Sequence, residues 1–570
     1  MISYKEKIAD ILTPHIEGVE REEILAMIES PADSKMGDYA FPCFKLAKIL
    51  RKAPPMIAKT IAEAVQGENL FSKVENVNAY VNMFISKKEF AEEVVSEVIS
   101  KGDDFGRSDI GGGKKVIVEY SSPNIAKPFH IGHIRSTVIG NSIYKIYDFL
   151  GYDAMRINHL GDYGTQFGKM ICAYRRWGNK EDVINEPIKS LLSYYTKFHE
   201  EAEKDPALED EARAVFARLE QGEQEEVELW QWFRDESLKE FNRVYDMLGI
   251  TFDSYNGESF YSDKMPRFVN ELKDKGLLIE DDGAQIVKLD DYDLPPALIT
   301  KSDGSTLYIT RDIAAAVYRK ETYDFYKNIY VVASQQNLHF QQWIQVIELL
   351  GYEWARDCVH VPFGLVSMEE GTMSTRQGRV VFLEDVLNRA VEQTKKIIEE
   401  KNVNTENVEE TAREVGIGAV IFNELSNYRI KDYVFSWDKV LNFEGETGPY
   451  VQYTHARACS ILRNAGDDIA EKAKSGFNSE YITGESAHQL IKLIYKFPEV
   501  IEEAGEKYEP SVVTRHIVDI AQAFNKFYHD EHILVENEDE KTSKVALVLA
   551  AKATIKNGLS LLGIKAPEKM

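Results

Sequence analysis

The sequence predicts an α/β protein: a Rossmann-like parallel-sheet core, an N-terminal α+β appendage and a C-terminal all-α helix bundle. Three observations predict it. Val116-Ile117-Val118-Glu119-Tyr120 and Ile329-Tyr330-Val331-Val332-Ala333 are apolar runs of strand length. Helical patterns lie between them, the alternation expected of a parallel sheet. From about residue 405 to the end the hydrophobic periods are almost all helical.

Taken in chain order, residues 1 to about 110 alternate helical patterns with one strand-like run, Ala79-Tyr80-Val81-Asn82-Met83-Phe84-Ile85, and close at Gly111-Gly112-Gly113. Residues 114 to 385 carry the βα patterns and the candidate chemistry. A charged stretch from about 180 to 245 reads as a helical insertion into that region. The expected domains are therefore 1–112, 113–405 and 406–570. No internal repeat or low-complexity tract is present.

Composition bounds the function. A chain of 570 residues with 44% hydrophobic content can bury sizeable cores, and its length suggests three to four domains. No stretch of about 18 apolar residues occurs, so no membrane span is expected. The N-terminus mixes charge with apolar residues at helical spacing, which argues against a signal peptide. Cys43, Cys172, Cys358 and Cys459 are scattered without a C-x-x-C, so neither a disulfide framework nor a metal site is indicated, and a reduced cytoplasm is expected. The formal net charge of −26 argues against general nucleic-acid binding. Its acids concentrate in segments such as Glu220 to Glu228, which leaves a basic face for a specific RNA open.

The most informative segment is His130-Ile131-Gly132-His133. It follows a strand and an irregular loop and opens a helix marked by Ile134, Val138, Ile139, Ile146 and Leu150. A helix start presents unpaired N–H groups and the positive end of the dipole, and so attracts phosphate. Gly132 lets a nucleotide approach the backbone, and both histidines can donate to phosphate oxygens. A nucleotide site is expected here.

The stretch VEYSSPNIAKPFHIGHIRST, residues 118 to 137, resembles the active-site signature of class I aminoacyl-tRNA synthetases, and within them of arginyl-tRNA synthetases. SNYRIKDYVFSWDKVLNFEGETGPYVQYTHARA and the tail NGLSLLGIKAPEKM are similar to the same family's junction and ending. Where the family's C-terminal domain carries the Asp-Ala-Leu-Arg tetrapeptide that names it, this chain has Val545-Ala546-Leu547-Val548. The resemblance implies an ATP-dependent ligase that joins L-arginine to its tRNA through an arginyl-adenylate. It also implies an N-terminal domain at the tRNA elbow, a C-terminal anticodon-binding domain, magnesium travelling with ATP, and no dedicated protein metal site. The family is usually monomeric and generally needs tRNA bound before it activates arginine.

The resemblance also assigns residues. His130, Gly132, His133 and His339 are expected at ATP. The family's mobile K-M-S-K loop corresponds to Gly371 to Gly378, where Thr372 and Thr375 stand in the lysine places and Met373 and Ser374 are retained. Lys127, with help from Arg376, is expected to replace the missing charge. Glu119, Tyr308 and Asp312 are expected at the substrate guanidinium, which calls for planar carboxylate partners. Ser122, Asn124 and Gln336 are expected at its α-amino and carboxylate ends, with Glu258 a further candidate. Asn82, Phe84, Tyr450, Gln452, Arg457 and Arg463 are the expected tRNA contacts, and Tyr453 and His455 share the polar-aromatic stretch. Two rivals stay open at this point. One is a nucleotidylyltransferase of the wider H-x-G-H superfamily; the other is a paralogue that senses tRNA or arginine without catalysis.

Overall fold

The computed structural model describes residues 3–31, 33–301, 308–368, 381–400, 407–440, 442 and 445–570. They form two compact units, each assembled from separated segments. One unit comprises 1–105, 457–496 and 519–555; the other comprises 106–456, 497–518 and 556–570.

The second unit is built on a four-stranded parallel sheet. Its strands are β4 (Lys115–Glu119), β5 (Asp153–Ile157), β9 (Lys327–Ala333) and β10 (Cys358–Phe363), in the order β10-β9-β4-β5. Val116, Ile117 and Val118 are fully buried, as strands covered on both faces must be. The chain runs outward from β4 to β5 and then returns to the other side of β4 for β9. The connections therefore diverge between β4 and β9, and their carboxyl ends are where such a sheet opens a crevice for ligand.

Helix Ile134–Phe149 follows β4 and lies on the sheet almost without a gap. Ser136 Oγ donates to Val331 O at 2.8 Å, and Ser142 Oγ donates to Leu561 O at 2.9 Å, so its buried hydroxyls are satisfied. Gly140 permits the close contact: a Cβ there would stand 2.1 Å from Tyr120 Cβ. After β5 comes the helical insertion, Thr165–Trp177 through Gln224–Leu248, with its own core of Ile171, Leu191, Phe198 and Phe233. It is wider at both ends than the charge pattern over 180–245 indicates, because its first helix is amphipathic and not charge-rich. A small antiparallel sheet in the order β6-β7-β8 (Leu278–Asp281, Ala284–Val287, Ala297–Thr300) follows, which the sequence reading does not anticipate. Strands of four residues give too short an alternation to register. Finally β11 (Val366–Met368) pairs in parallel with β12 (Tyr433–Phe435).

In the first unit β1 (Tyr39–Pro42), β2 (Phe71–Val77) and β3 (Tyr80–Ile85) make an antiparallel sheet in the order β1-β3-β2, flanked by helices. The C-terminal part of the chain is helical: Gly448–Ala465, Glu485–Lys507, Ser511–Asp530 and Glu538–Leu561. Val545 to Val548 are fully buried in the last of these. Among the described residues no helix is long and apolar enough to cross a membrane, and all four cysteines are buried as free thiols.

Gly140→Ala tests the seating of the helix on β4. Overpacking of this kind typically costs about 1–3 kcal/mol. A lowered thermal midpoint is the expected outcome, and an unchanged one would show that the helix can move away freely.

Candidate active site

The site begins in the loop between β4 and helix Ile134–Phe149. Ser121, Ser122 and Ala126 have φ of 70°, 47° and 58°, left-handed conformations that side chains avoid. Each costs on the order of 1–3 kcal/mol and persists only where the surroundings over-determine it. Here they do. Ser121 N donates to Ser136 Oγ and Ala126 N to Ser237 Oγ, both at 2.9 Å, while Ile125 N and Gly161 N exchange bonds with Gly161 O and Pro123 O. A Cβ at Gly161 would fall 2.2 Å from Asn124 Oδ1, so the glycine lets the Asn124 side chain lie against the loop.

The loop delivers His130 and His133 to the helix start. Residues 131–133 form one 3-10 turn before the α-helix begins. His130 Nδ1 accepts from Gly132 N at 3.1 Å, and His133 Nδ1 accepts from His130 N at 3.1 Å. An amide can only donate, so His130 Nδ1 is an acceptor and its ring proton sits on Nε2, whereas His133 Nδ1 also lies 3.2 Å from His130 O and would donate to it in the other tautomer. The rings lie 4.0 Å apart, and Phe129 stacks on His133 at 5.0 Å. Burial, then the charges of His130 and Lys127, push His133 down to about 3, and burial lowers His130 also. The pair is therefore two neutral rings at physiological pH. Both are partly exposed.

The chain that returns from residues 369–380 is tied to the same turn. Ile131 N donates to Val381 O and Leu383 N donates to Phe129 O, each at 3.0 Å, and His130 bridges Phe382. Met373, Ser374 and Arg376, with Thr372 and Thr375, lie outside the described residues.

Carboxylates gather at the carboxyl end of β4. Glu119 is buried and meets Arg319 Nη2 at 2.6 Å, so it is not an unclaimed acceptor. Arg319 is fully buried, with His159 Nδ1 at 3.3 Å and the Tyr330 ring at 5.5 Å. Two expected residues from different elements come together: His339 Nε2 lies 2.5 Å from Asp312 Oδ2. His339 occupies the first turn of helix Asn337–Leu349, while Tyr308 and Asp312 share the first turns of helix Tyr308–Tyr323, with Tyr308 65% exposed. Glu258 pairs with Arg311 at 2.7 Å. Burial, with Asp312 and Asp162 nearby, pushes Glu258 up to about 7 against the pull of Arg311. Arg311 is flanked by the Tyr163 and Tyr308 rings at 4.9 and 5.2 Å. Asn124 and Gln336 are exposed and Ser122 half-buried, in the segments that follow β4 and β9.

Arg319, His159, Arg311 and Tyr163 are residues that the sequence reading passes over. Arg319 had a usable signal, since it stands seven residues after Asp312 on one helix, two turns along the same face. Two expected tRNA contacts are corrected by burial. Asn82 is 1% exposed on the central strand of its sheet, and Gln452 is fully buried, its amide donating to Glu414 O at 3.2 Å and Lys565 O at 2.8 Å. His455 is likewise buried, bonded to Pro567 O. Phe84 is half-buried under the Lys73 ammonium at 5.0 Å, Tyr450 and Arg457 are half-buried, and Arg463 is exposed. Arg457 is bonded to Asn525 and lies 5.4 Å from the Tyr528 ring.

Three family models match in succession: the arginyl tRNA synthetase N-terminal domain over 3–85, the class I (R) tRNA synthetase catalytic domain over 94–437, and the DALR anticodon binding domain over 451–570. Arginine–tRNA ligases of Halothermothrix orenii and Clostridioides difficile are 60% and 59% identical to the chain over 570 residues, covering all of both partners. The chain belongs to the arginyl-tRNA synthetases. A Thermus thermophilus arginyl-tRNA synthetase has the same fold, with a TM-score of 0.79 at 25% identity and 99% of each chain covered. As an arginyl-tRNA synthetase the protein is a class I ligase, and both the shorter nucleotidylyltransferase and the non-catalytic sensor give way. The DALR match holds although the naming tetrapeptide is replaced by Val545 to Val548.

The depressed His133 sets a pH dependence. Unfolded, the ring takes up a proton below about 6.5; folded, it resists down to about 3. Between those values the unfolded state binds more protons, so stability rises with pH across this window and falls on acidification. His133→Asn is expected to flatten the pH dependence of unfolding midpoints between pH 6.5 and the acid limit. An unaltered slope would place the ring's titration elsewhere.

Proposed function

We propose that arginine is activated in the crevice beyond β4 and β9, with its carboxylate attacking the α-phosphate of ATP in line and pyrophosphate leaving. No protein nucleophile is needed, so the task is to position two substrates and to stabilise charge at phosphorus. The observation that carries this reading is the placement of His130 and His133 at the helix start: His130 Nδ1 is spent on the Gly132 amide, which leaves its Nε2–H to donate, and His133 Nδ1 is engaged by the His130 backbone, which leaves its Nε2 for a ligand. Preorganised neutral donors at a helix start suit phosphate oxygens without adding a cation that would need desolvation.

Lys127 supplies the positive charge that Thr372 and Thr375 do not, with Arg376 assisting. Magnesium enters bound to the ATP phosphates. Glu119 and Asp312, each oriented by a basic partner, receive the substrate guanidinium together with Tyr308. A planar fork between two fixed carboxylates admits arginine and leaves lysine with too few contacts. Ser122, Asn124 and Gln336 take the other end of the amino acid. His339 holds Asp312, which places it one step from arginine instead of at ATP. The terminal ribose 2′-hydroxyl of tRNA then attacks the adenylate. The division at 112 and 405 assigns the tRNA elbow to the N-terminal domain and the anticodon to the C-terminal helices, with Phe84, Tyr450, Arg457 and Arg463 the contacts consistent with their exposure. We further propose a cytoplasmic monomer that activates arginine only with tRNA bound.

Two expected outcomes test this reading. Lys127→Ala should lower tRNA-dependent pyrophosphate exchange by about two to four decades, as for loss of a transition-state electrostatic contact. Near-normal exchange would remove Lys127 from the chemistry. Asp312→Asn should raise KM for arginine about tenfold or more through loss of a charge-assisted pair. A change confined to KM for ATP would move Asp312 to the nucleotide.

A further inference from the structure

Arg135 stands two residues past His133, in the first turn of helix Ile134–Phe149, and its side chain is completely buried. A buried guanidinium is costly unless its protons find partners. Those partners are backbone carbonyls of two other segments. Nη1 donates to Gly364 O at 3.0 Å and to Lys431 O at 2.8 Å, and Nη2 donates to Arg429 O at 3.1 Å. The Tyr433 ring lies 5.2 Å away. Glu424 approaches Nε only to 3.5 Å, and neither of its oxygens has a hydrogen bond. Burial pushes Glu424 up to about 8 against the pull of Arg135, and the hydrogen bonds to the cation come from the three carbonyls.

The two segments are joined to each other. Gly364 N donates to Arg429 O at 2.8 Å, Tyr433 N donates to Leu365 O at 3.1 Å, and β11 then pairs with β12. Glycine is required at 364, because a Cβ would fall 2.5 Å from the Lys431 carbonyl carbon. The histidine turn is held from another side at Val381 and Leu383, through the bonds from Ile131 N and to Phe129 O. Arg135 therefore ties segments 364–366 and 429–433 to the helix that carries His130 and His133.

We infer that Arg135 is a positioning residue for arginine activation, fixing the helix start that carries His130 and His133 against the β11–β12 ladder so that both histidines are held in one geometry toward ATP. The inference rests on the reading of His130 and His133 as the phosphate donors. Its effect should appear in the chemical step and not in arginine affinity, since Glu119, Asp312 and Tyr308 hang from other elements. A displacement of about 1 Å in a positioning contact can cost around a hundredfold in rate.

The test compares Arg135→Gln, Arg135→Lys and Gly364→Ala in the full-length protein by tRNA-dependent pyrophosphate exchange, with thermal midpoints measured alongside. Gly364→Ala keeps the arginine and pushes the ladder away, so it decides the matter if Arg135→Gln fails to fold. The expected result is kcat lowered about tenfold or more in Arg135→Gln and Gly364→Ala, less in Arg135→Lys, with KM for arginine within about threefold of the parent. Folded variants with kcat unchanged would overturn the inference. So would kcat and every KM moving together in step with a lost midpoint, which would reduce Arg135 to a structural residue. His133→Asn is run in parallel: unchanged exchange in that variant would instead defeat the underlying reading of the histidines.

Discussion

Everything at this site depends on how closely helix Ile134–Phe149 lies on β4. Gly140 against Tyr120 and Ser136 against Val331 O bring the helix onto the sheet, and its N-terminus then opens beyond the carboxyl end of β4. The same Ser136 hydroxyl captures Ser121 N, which holds the strained turn that leads to the histidines. One contact surface thus sets both histidines and the loop before them. Strain at Ser121, Ser122 and Ala126 is the local cost, offset by hydrogen bonds from the helix, from Gly161 and from Ser237.

Charge is handled by pairing throughout the crevice. Glu119 meets Arg319, Asp312 meets His339 and Glu258 meets Arg311. A carboxylate held this way is already oriented before arginine arrives, so little ordering entropy is lost on binding. The histidines take the opposite course: burial keeps them neutral, and in the proposed reading they act through directed N–H groups. In the proposed reading cationic help is left to Lys127, which borders the same turn. The division suits a reaction in which a cationic amino acid and a polyanionic nucleotide must occupy neighbouring ground.

Much of this was legible in the sequence. H-I-G-H between a strand and an amphipathic run marked the helix start where the two histidines meet, and the apolar runs at 116–120 and 329–333 are the two central strands. Spacing of four placed Tyr308 and Asp312 on one helix, as observed. Other features were out of reach for physical reasons. Pairing between Asp312 and His339, or Glu119 and Arg319, joins residues whose separation in sequence carries no periodic signal. Asn82 was expected at RNA from its place in the family resemblance and Gln452 from its polar-aromatic stretch; both are buried, and Gln452 Nε2 donates to backbone carbonyls. The short strands β6, β7 and β8 left no pattern long enough to read.

The central claim is that the guanidinium and phosphate sites occupy the two sides of one crevice, beyond β4 and β9. The position of a non-hydrolysable arginyl-adenylate analogue in a crystal of the protein measures this directly. The account predicts its guanidinium between Glu119 and Asp312 beside Tyr308, with the phosphate-mimicking group against Nε2 of His130 and His133. A guanidinium seated on Glu258, or a phosphate mimic out of reach of both histidines, would contradict it.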